Sequence, residues 1–258
     1  MTVKEILQYI NMFSPQEYAE SYDNVGLLVG SEENEITGIC CTLDITNSVI
    51  DEAIANGANL IIAHHPVIFS PLKRIPEWSP VAKLIKNDIS AICIHTNFDM
   101  TEGGVNDSLL ELLGFESSGV LEPVHANGLG FGAVCDLTLG FTVKGLAEHC
   151  KAALDLNCVK YSRGERAIRR VAVCCGSGVN EKVMQLAREK GCDAIISGDI
   201  KHNYWTEAQD SGITLIDAGH FGTEKQAMHR IAALISRHYN EVPVFTADSC
   251  KEPCHVLK

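Results

Sequence analysis

The chain has 258 residues but no cluster of lysine and arginine beyond short runs such as residues 163–170, and its formal net charge is −12. That balance disfavours nonspecific binding to nucleic acid or to an anionic membrane, because both rest on accumulated positive charge. A charged or phosphorylated small substrate stays open, since bound metal would supply local positive charge. No apolar run approaches a membrane span, and the opening MTVKEILQYI lacks the long apolar core of a signal peptide. That stretch reads instead as a helix with a T-x-x-E capping pattern at Thr2 and Glu5. A disulfide framework is missing too. The eleven cysteines are odd in number, and Cys40-Cys41 and Cys174-Cys175 sit inside apolar runs, where cysteine behaves as a small hydrophobe. Together these features predict a reduced, cytoplasmic compartment. Cys250, Cys254 and His255 have zinc-ligand chemistry, but a single such cluster in a tail predicts no site.

What is present is an ordinary globular composition, 46% hydrophobic and 21% charged, which argues against disorder. The length allows one large domain or two small ones. Strands are expected at 25–29, 36–43, 60–63 and 89–94, with a helix capped by Thr46 or Asn47 and closed at Gly57. Ser79-Pro80 opens a short helix, and another over 105–113 ends at Gly114. The loop 66–80 is long for a simple connection and suggests a lid or an assembly contact. Residues 116–132 carry turn residues with little periodicity and are read as the domain crossing. The second half restarts the pattern, with strands at 131–139, 156–161, 171–175 and 194–196 and helices at 143–154 and 180–190. EAIANGANLIIAHH (52–65) overlays LAREKGCDAIISGD (186–199), placing Gly57 on Gly191 and His64-His65 on Gly198-Asp199. A diverged internal repeat is therefore expected, with an α/β domain of residues 1–124 and 220–258 and a second of residues 125–219. Each half would bring a strand end to a shared cleft.

Three stretches carry chemistry. The run Leu60-Ile61-Ile62-Ala63 suits a buried strand, and it stops at His64 and His65 before Pro66 forbids further pairing through its nitrogen. Ligands collect at the carboxyl ends of strands in α/β proteins, so two imidazoles there make a metal-binding corner. Taken alone, a pair of loop histidines held by backbone hydrogen bonds fits equally well. DAGHFGTEK (217–225) precedes an apolar helical pattern and puts His220 and Glu224 four apart, on one helix face. IHTNFD (94–99) offers His95 and Asp99 after another apolar run. Five such groups exceed one tetrahedral zinc with an open position, but suit two divalent ions sharing a carboxylate.

These blocks resemble the Nif-three-like proteins (NGG-one-interacting factor three), also called GTP cyclohydrolase I type-two homologues. The resemblance runs through DNVGLLVG (23–30), LIIAHHPVIF, HTNFD, SGDIKHN (197–203) and DAGHFGTEK, in the family's order and over essentially the whole chain. It implies dinuclear ligands at His64, His65, Asp99, His220 and Glu224, with Glu224 as the bridge. It also implies two similar intertwined α/β domains, mixed sheets flanked by helices, and a toroidal homohexamer with the metal sites facing an internal cavity. The chain resembles the family's short form, without a domain-sized insertion. Asn203 departs from the pattern, since many relatives carry histidine there; its role could have passed to His202 or been lost.

Mixed nitrogen and oxygen ligation without thiolate fits two zinc, iron, manganese or cobalt ions per chain and does not choose among them. His95 is expected to be a general acid/base or an orienter, because the HTNFD turn already assigns Asp99 to metal. Asp44 and Asn24 are read first as a cap and a turn residue, with support of the site second. Asp199 and His202 could reach the cleft from the other half. Three functions follow: a dinuclear hydrolase of a nucleotide-like or pterin-related small molecule, which the family's name suggests; a metal storage, delivery or insertion assembly; or an interaction scaffold with structural metals. Open coordination positions favour the first.

Overall fold

A computed structural model describes residues 1–257, which form two compact units: Met1–Thr101 with Ala227–Lys251, and Glu102–Gln226 with the tail from Glu252. In chain order the first unit contains α1 (Val3–Phe13), β1 (Gly26–Val29), β2 (Ile39–Thr42), α2 (Asn47–Ala55), β3 (Leu60–Ala63), α3 (Pro80–Lys86), β4 (Ser90–Cys93) and α4 (Thr96–Met100). The second contains α5 (Val105–Leu113), β5 (Ser117–Pro123), β6 (Gly130–Thr142), α6 (Val143–Ala153), β7 (Lys160–Tyr161), β8 (Ala167–Val173), α7 (Glu181–Glu189), β9 (Ala194–Ser197), α8 (His202–Ser211), β10 (Thr214–Asp217) and α9 (His220–Glu224). The chain then returns to the first unit with α10 (Ala227–His238) and β11 (Val244–Thr246). This is a mixed α/β fold with two sheets flanked by helices.

The first sheet has the order β1-β4-β3-β2-β11, with β4, β3, β2 and β11 parallel and β1 antiparallel at the edge. Its central strand reads LIIA because both faces are covered, and all four residues are fully buried. Val49, Ile50 and Ala53 of α2 and Leu84 of α3 cover one face over Ile61, Ala63 and Ala91. Val49, Ile50, Ile61 and Leu84, the larger of these side chains, each contribute roughly 1.5–3 kcal/mol. Thr46 accepts from Val49 N to start α2, and Ser79 accepts from Ala82 N ahead of Pro80 to start α3. The T-x-x-E capping box at Thr2 and Glu5 is present.

The second sheet has the order β5-β6-β8-β9-β10-β7, with a parallel centre β8-β9-β10 and antiparallel strands on both sides. Val183, Met184 and Ala187 of α7 and Ala208 of α8 pack on Ala172, Ile195 and Leu215. Asn180 caps α7 through Val183 N, and Gly191 follows in the left-handed region at φ 68°.

Several expected elements come out differently. Residues 116–132 form most of an antiparallel hairpin, β5 and β6; β5 is an edge strand with mostly exposed residues, so it lacks the apolar alternation that marks a strand. The strand expected at 36–43 starts later, as β2 over Ile39–Thr42, because Ile36 N donates instead to Met1 O at 2.9 Å. Of 156–161 only Lys160–Tyr161 pairs; Leu156 N is taken by the end of α6 through Lys151 O. The eleven cysteines are free thiols, and burial pushes Cys40, Cys135 and Cys150 up to about 12, which keeps them protonated. Among the described residues no helix is long and apolar enough to cross a membrane.

Candidate metal centre

In the first unit, the parallel ladder runs two residues past β3: His64 N donates to Thr42 O and His65 N to Leu43 O. Pro66 then ends it. Backbone pairing thus holds both histidines at a rigid strand end, His64 fully buried and His65 partly open. β4 delivers His95 in the same way, since Ile94 N donates to Ala63 O. The chain then turns into α4, with Phe98 N and Asp99 N both donating to His95 O. That single turn, which sequence patterning does not show, carries Asp99 back so that its Oδ1 lies 3.6 Å from His64 Nε2. One ring nitrogen from each of His64, His65 and His95 falls within 4.8 Å of the others.

Each ring has its Nδ1 against an oxygen: His64 on Ile94 O at 2.9 Å, His65 on Asp44 Oδ1 at 2.7 Å, and His95 on Asp23 Oδ1 at 2.8 Å. A carbonyl or carboxylate oxygen can only accept, so Nδ1 carries the proton and the neutral ring keeps its lone pair on Nε2. Histidines that bind metals are commonly oriented in this way. Asp44 therefore supports His65, while Thr46 caps the helix. Asn24 uses Nδ2 to hold Ile68 O at 2.6 Å. Asp23, which motif reading passed over, has a buried side chain. Burial raises its pKa, but hydrogen bonds from His95 and Thr96 and the attraction of His95 outweigh that, leaving it at about 2.

In the second unit the site is built from glycine. Gly176, Gly198 and Gly219 follow the carboxyl ends of β8, β9 and β10, and Gly198 N donates to Gly176 O at 2.8 Å. A Cβ on Gly198 would stand 2.6 Å from Gly219 C and His220 N, so only glycine lets the start of α9 lie against this strand end. A Cβ on Gly176, at φ 53°, would run into Glu224 Oε1 and stand 3.2 Å from His220 Nε2. Gly176 N donates to Thr223 Oγ1 at 3.0 Å, pinning the short helix. His220 and Glu224 share its face, with Nε2 and Oε2 3.0 Å apart and Glu224 buried. Asp199, itself in the left-handed region at φ 47°, takes His220 Nδ1 at 3.0 Å. His202 and Asn203 are exposed at the start of α8.

The structure thus brings His64, His65, His95 and Asp99 together in one unit, and His220 and Glu224 together in the other. His64, Asp99 and Glu224 are buried and the other three half-buried, and groups of this chemistry can bind metal ions. Two donors of one ion, each about 2.1 Å from it, are spaced much as His220 Nε2 and Glu224 Oε2 are. The small cradle above Gly176 leaves room for such donors.

Parallel strand ends that present oriented imidazoles and buried carboxylates define an α/β protein whose strand ends carry residues able to bind metal. The family described as Duf34/NIF3 (NGG1p interacting factor 3) matches residues 1–253, and the chain belongs to it. A GTP cyclohydrolase 1 type 2 homolog of Clostridium acetobutylicum is 36% identical over 231 residues, covering 87% of this chain and 85% of its own. The protein of that name from Clostridium perfringens is 32% identical over 261 residues, covering 98% of each. The crystal structure of the Staphylococcus aureus hypothetical protein SA1388 superposes with a TM-score of 0.91 at 26% identity, covering 100% of this chain and 99% of its own.

Proposed function

We propose that this chain is a dinuclear divalent-metal protein that hydrolyses a nucleotide-like or pterin-related small molecule, with His64, His65, Asp99, His220 and Glu224 as ligands and Glu224 as the bridge. The observation that carries this reading is a pairing of acceptors. In each unit an imidazole held at Nδ1 by an oxygen turns Nε2 toward a buried carboxylate, His64 toward Asp99 and His220 toward Glu224. A lone pair facing a carboxylate needs a cation or a proton to make the approach favourable, and two such pairs suit divalent ions. When bound, the ions would supply Lewis acidity and a lowered pKa for water. His95 adds an imidazole whose Nδ1 is fixed by Asp23, leaving Nε2 to accept or return a proton. The name of the relatives, GTP cyclohydrolase 1 type 2 homolog, supports the substrate class. A closed homohexamer belongs to the same reading, and light scattering that gives the 28.1 kDa monomer at all working concentrations would sink that part.

Elemental analysis of the purified full chain tests the centre. Wild type is expected to hold two divalent ions per chain, and Glu224→Ala to lose most of both, because a bridge serves both ions. Two ions per chain in Glu224→Ala would refute the bridge. A substrate panel that finds no turnover by the metal-loaded chain would remove the hydrolase assignment while leaving the ligands in place.

A further inference from the structure

Beside the histidines of the first unit stand two large aromatic rings left open to solvent. Tyr22 is 64% and Phe69 50% exposed, with ring centroids 6.5 Å apart and planes tilted by 54°. Phe69 also lies 6.5 Å from the His95 ring, nearly perpendicular to it at 83°. The placement is fixed by one short segment. In Tyr22-Asp23-Asn24 the aspartate orients His95, while Asn24 Nδ2 holds the carbonyl of Ile68, the residue before Phe69. The two rings and the oriented imidazole are therefore tied to the same three residues.

We propose that Tyr22 and Phe69 form an aromatic corner that takes a planar heteroaromatic ring, stacked on one ring face and against the edge of the other. The ring's polar edge then reaches Nε2 of His95. Aromatic faces and edges attract each other in stacked and perpendicular arrangements, and heteroaromatic bases stack on such side chains. A saturated or purely apolar ligand would use the apolar area but leave the adjacent imidazole without a partner on the ligand. This inference names the ring class of the substrate and rests on the hydrolase reading for its chemistry, though the ring binding stands apart from metal content.

The probe is pterin, with ribose 5-phosphate as the ring-free comparator, each titrated by calorimetry into the full chain after its metal content has been measured. Pterin is expected to bind wild type, and Tyr22→Ala and Phe69→Ala each to weaken it roughly ten-fold or more. Phe69→Trp should retain the affinity and Phe69→Leu lose it, while the response to ribose 5-phosphate stays the same in all variants. No pterin binding at millimolar concentration, or full affinity in the alanine or leucine variants, overturns the proposal. Alanine variants that keep pterin affinity but change the mass seen by light scattering would assign the corner to a contact with another copy of the chain, which also overturns it. A metal-loaded chain that ignores pterin sinks the aromatic corner alone. A metal-free chain that binds pterin sinks the metal reading alone.

Discussion

The two units end their parallel strands on similar chemistry and support it by opposite means. In the first, oxygen acceptors do the holding: the carboxylates of Asp23 for His95 and of Asp44 for His65, and the backbone carbonyl of Ile94 for His64. In the second, the missing side chains of Gly176 and Gly198 make the space in which His220 and Glu224 sit. His64-His65 directly follow β3 and Gly198-Asp199 directly follow β9, so positions just past a parallel strand carry the imidazoles in one unit. In the other they carry a close-approach glycine and the carboxylate that orients His220. One strand–helix–strand frame can thus present ligands directly or serve as a platform for a helix that does. The consequence is mutational: the first unit should tolerate added bulk better than lost polarity, and the second the reverse.

The largest expected effect sharpens the polar side of that contrast. His95→Gln keeps a hydrogen-bonding group and most of the shape but removes acid/base capacity. Turnover should fall roughly a hundred-fold or more, with near-normal metal by elemental analysis. Loss of metal would make His95 a ligand or its orienter, and full turnover would remove it from the chemistry. Next comes Gly176→Ala. Its methyl meets the tip of the flexible Glu224 side chain, not backbone, so the fold can yield while the carboxylate is displaced. Metal affinity should drop by about 10–100-fold, the range for disturbing a ligand's support, and the left-handed φ of 53° should add a stability loss of about 1–2 kcal/mol for any Cβ. Gly198→Ala inverts this outcome. Its methyl meets the backbone of Gly219 and His220, which cannot move without the whole turn, so a loss of about 1–3 kcal/mol in urea unfolding is expected. Equal metal affinity for the two glycine variants would break the distinction.

Much of this was legible in the sequence for a physical reason. Leu60–Ala63 is apolar because both its faces are covered, and caps such as Thr46 and Asn180 announce helices through their own hydrogen bonds. His220 and Glu224 could be placed together because four residues is one helical turn. What stayed hidden depends on contacts remote in sequence. The α4 turn that returns Asp99 has no periodicity to show, being a single turn. Asp23 meets a histidine 72 residues away. Neither Gly176 nor Gly198 reveals from its neighbours that a carboxylate or a backbone passes over it. The edge strand β5 faces solvent over most of its length and so reads like a loop.

The smallest expected effect probes the polar support alone, through pH. Against the effect of burial, its hydrogen bonds hold Asp23 at a folded pKa of about 2, below the ordinary 3.8 of an aspartate. A carboxylate lowered on folding stabilises the native state above its unfolded pKa, and the contribution drains away as pH falls through the folded value. For Asp23 it should be fully present from about pH 5 upward, roughly half gone by pH 3 and nearly absent below pH 2. The shift corresponds to about 1–2 kcal/mol at neutral pH once partial solvent screening is allowed for. Asp23→Asn keeps the size and one acceptor toward His95 or Thr96 but has no charge to lose. Its urea midpoint should lie below that of wild type at pH 6, and the gap should narrow at pH 3. Because both proteins share every other carboxylate, the change in the gap reports on Asp23 and its pairing with His95. A gap that stayed constant from pH 6 to pH 3 would mean that the Asp23 charge contributes nothing and that His95 is held by shape. In that case the two units would differ less in their means of support than their hydrogen bonds indicate.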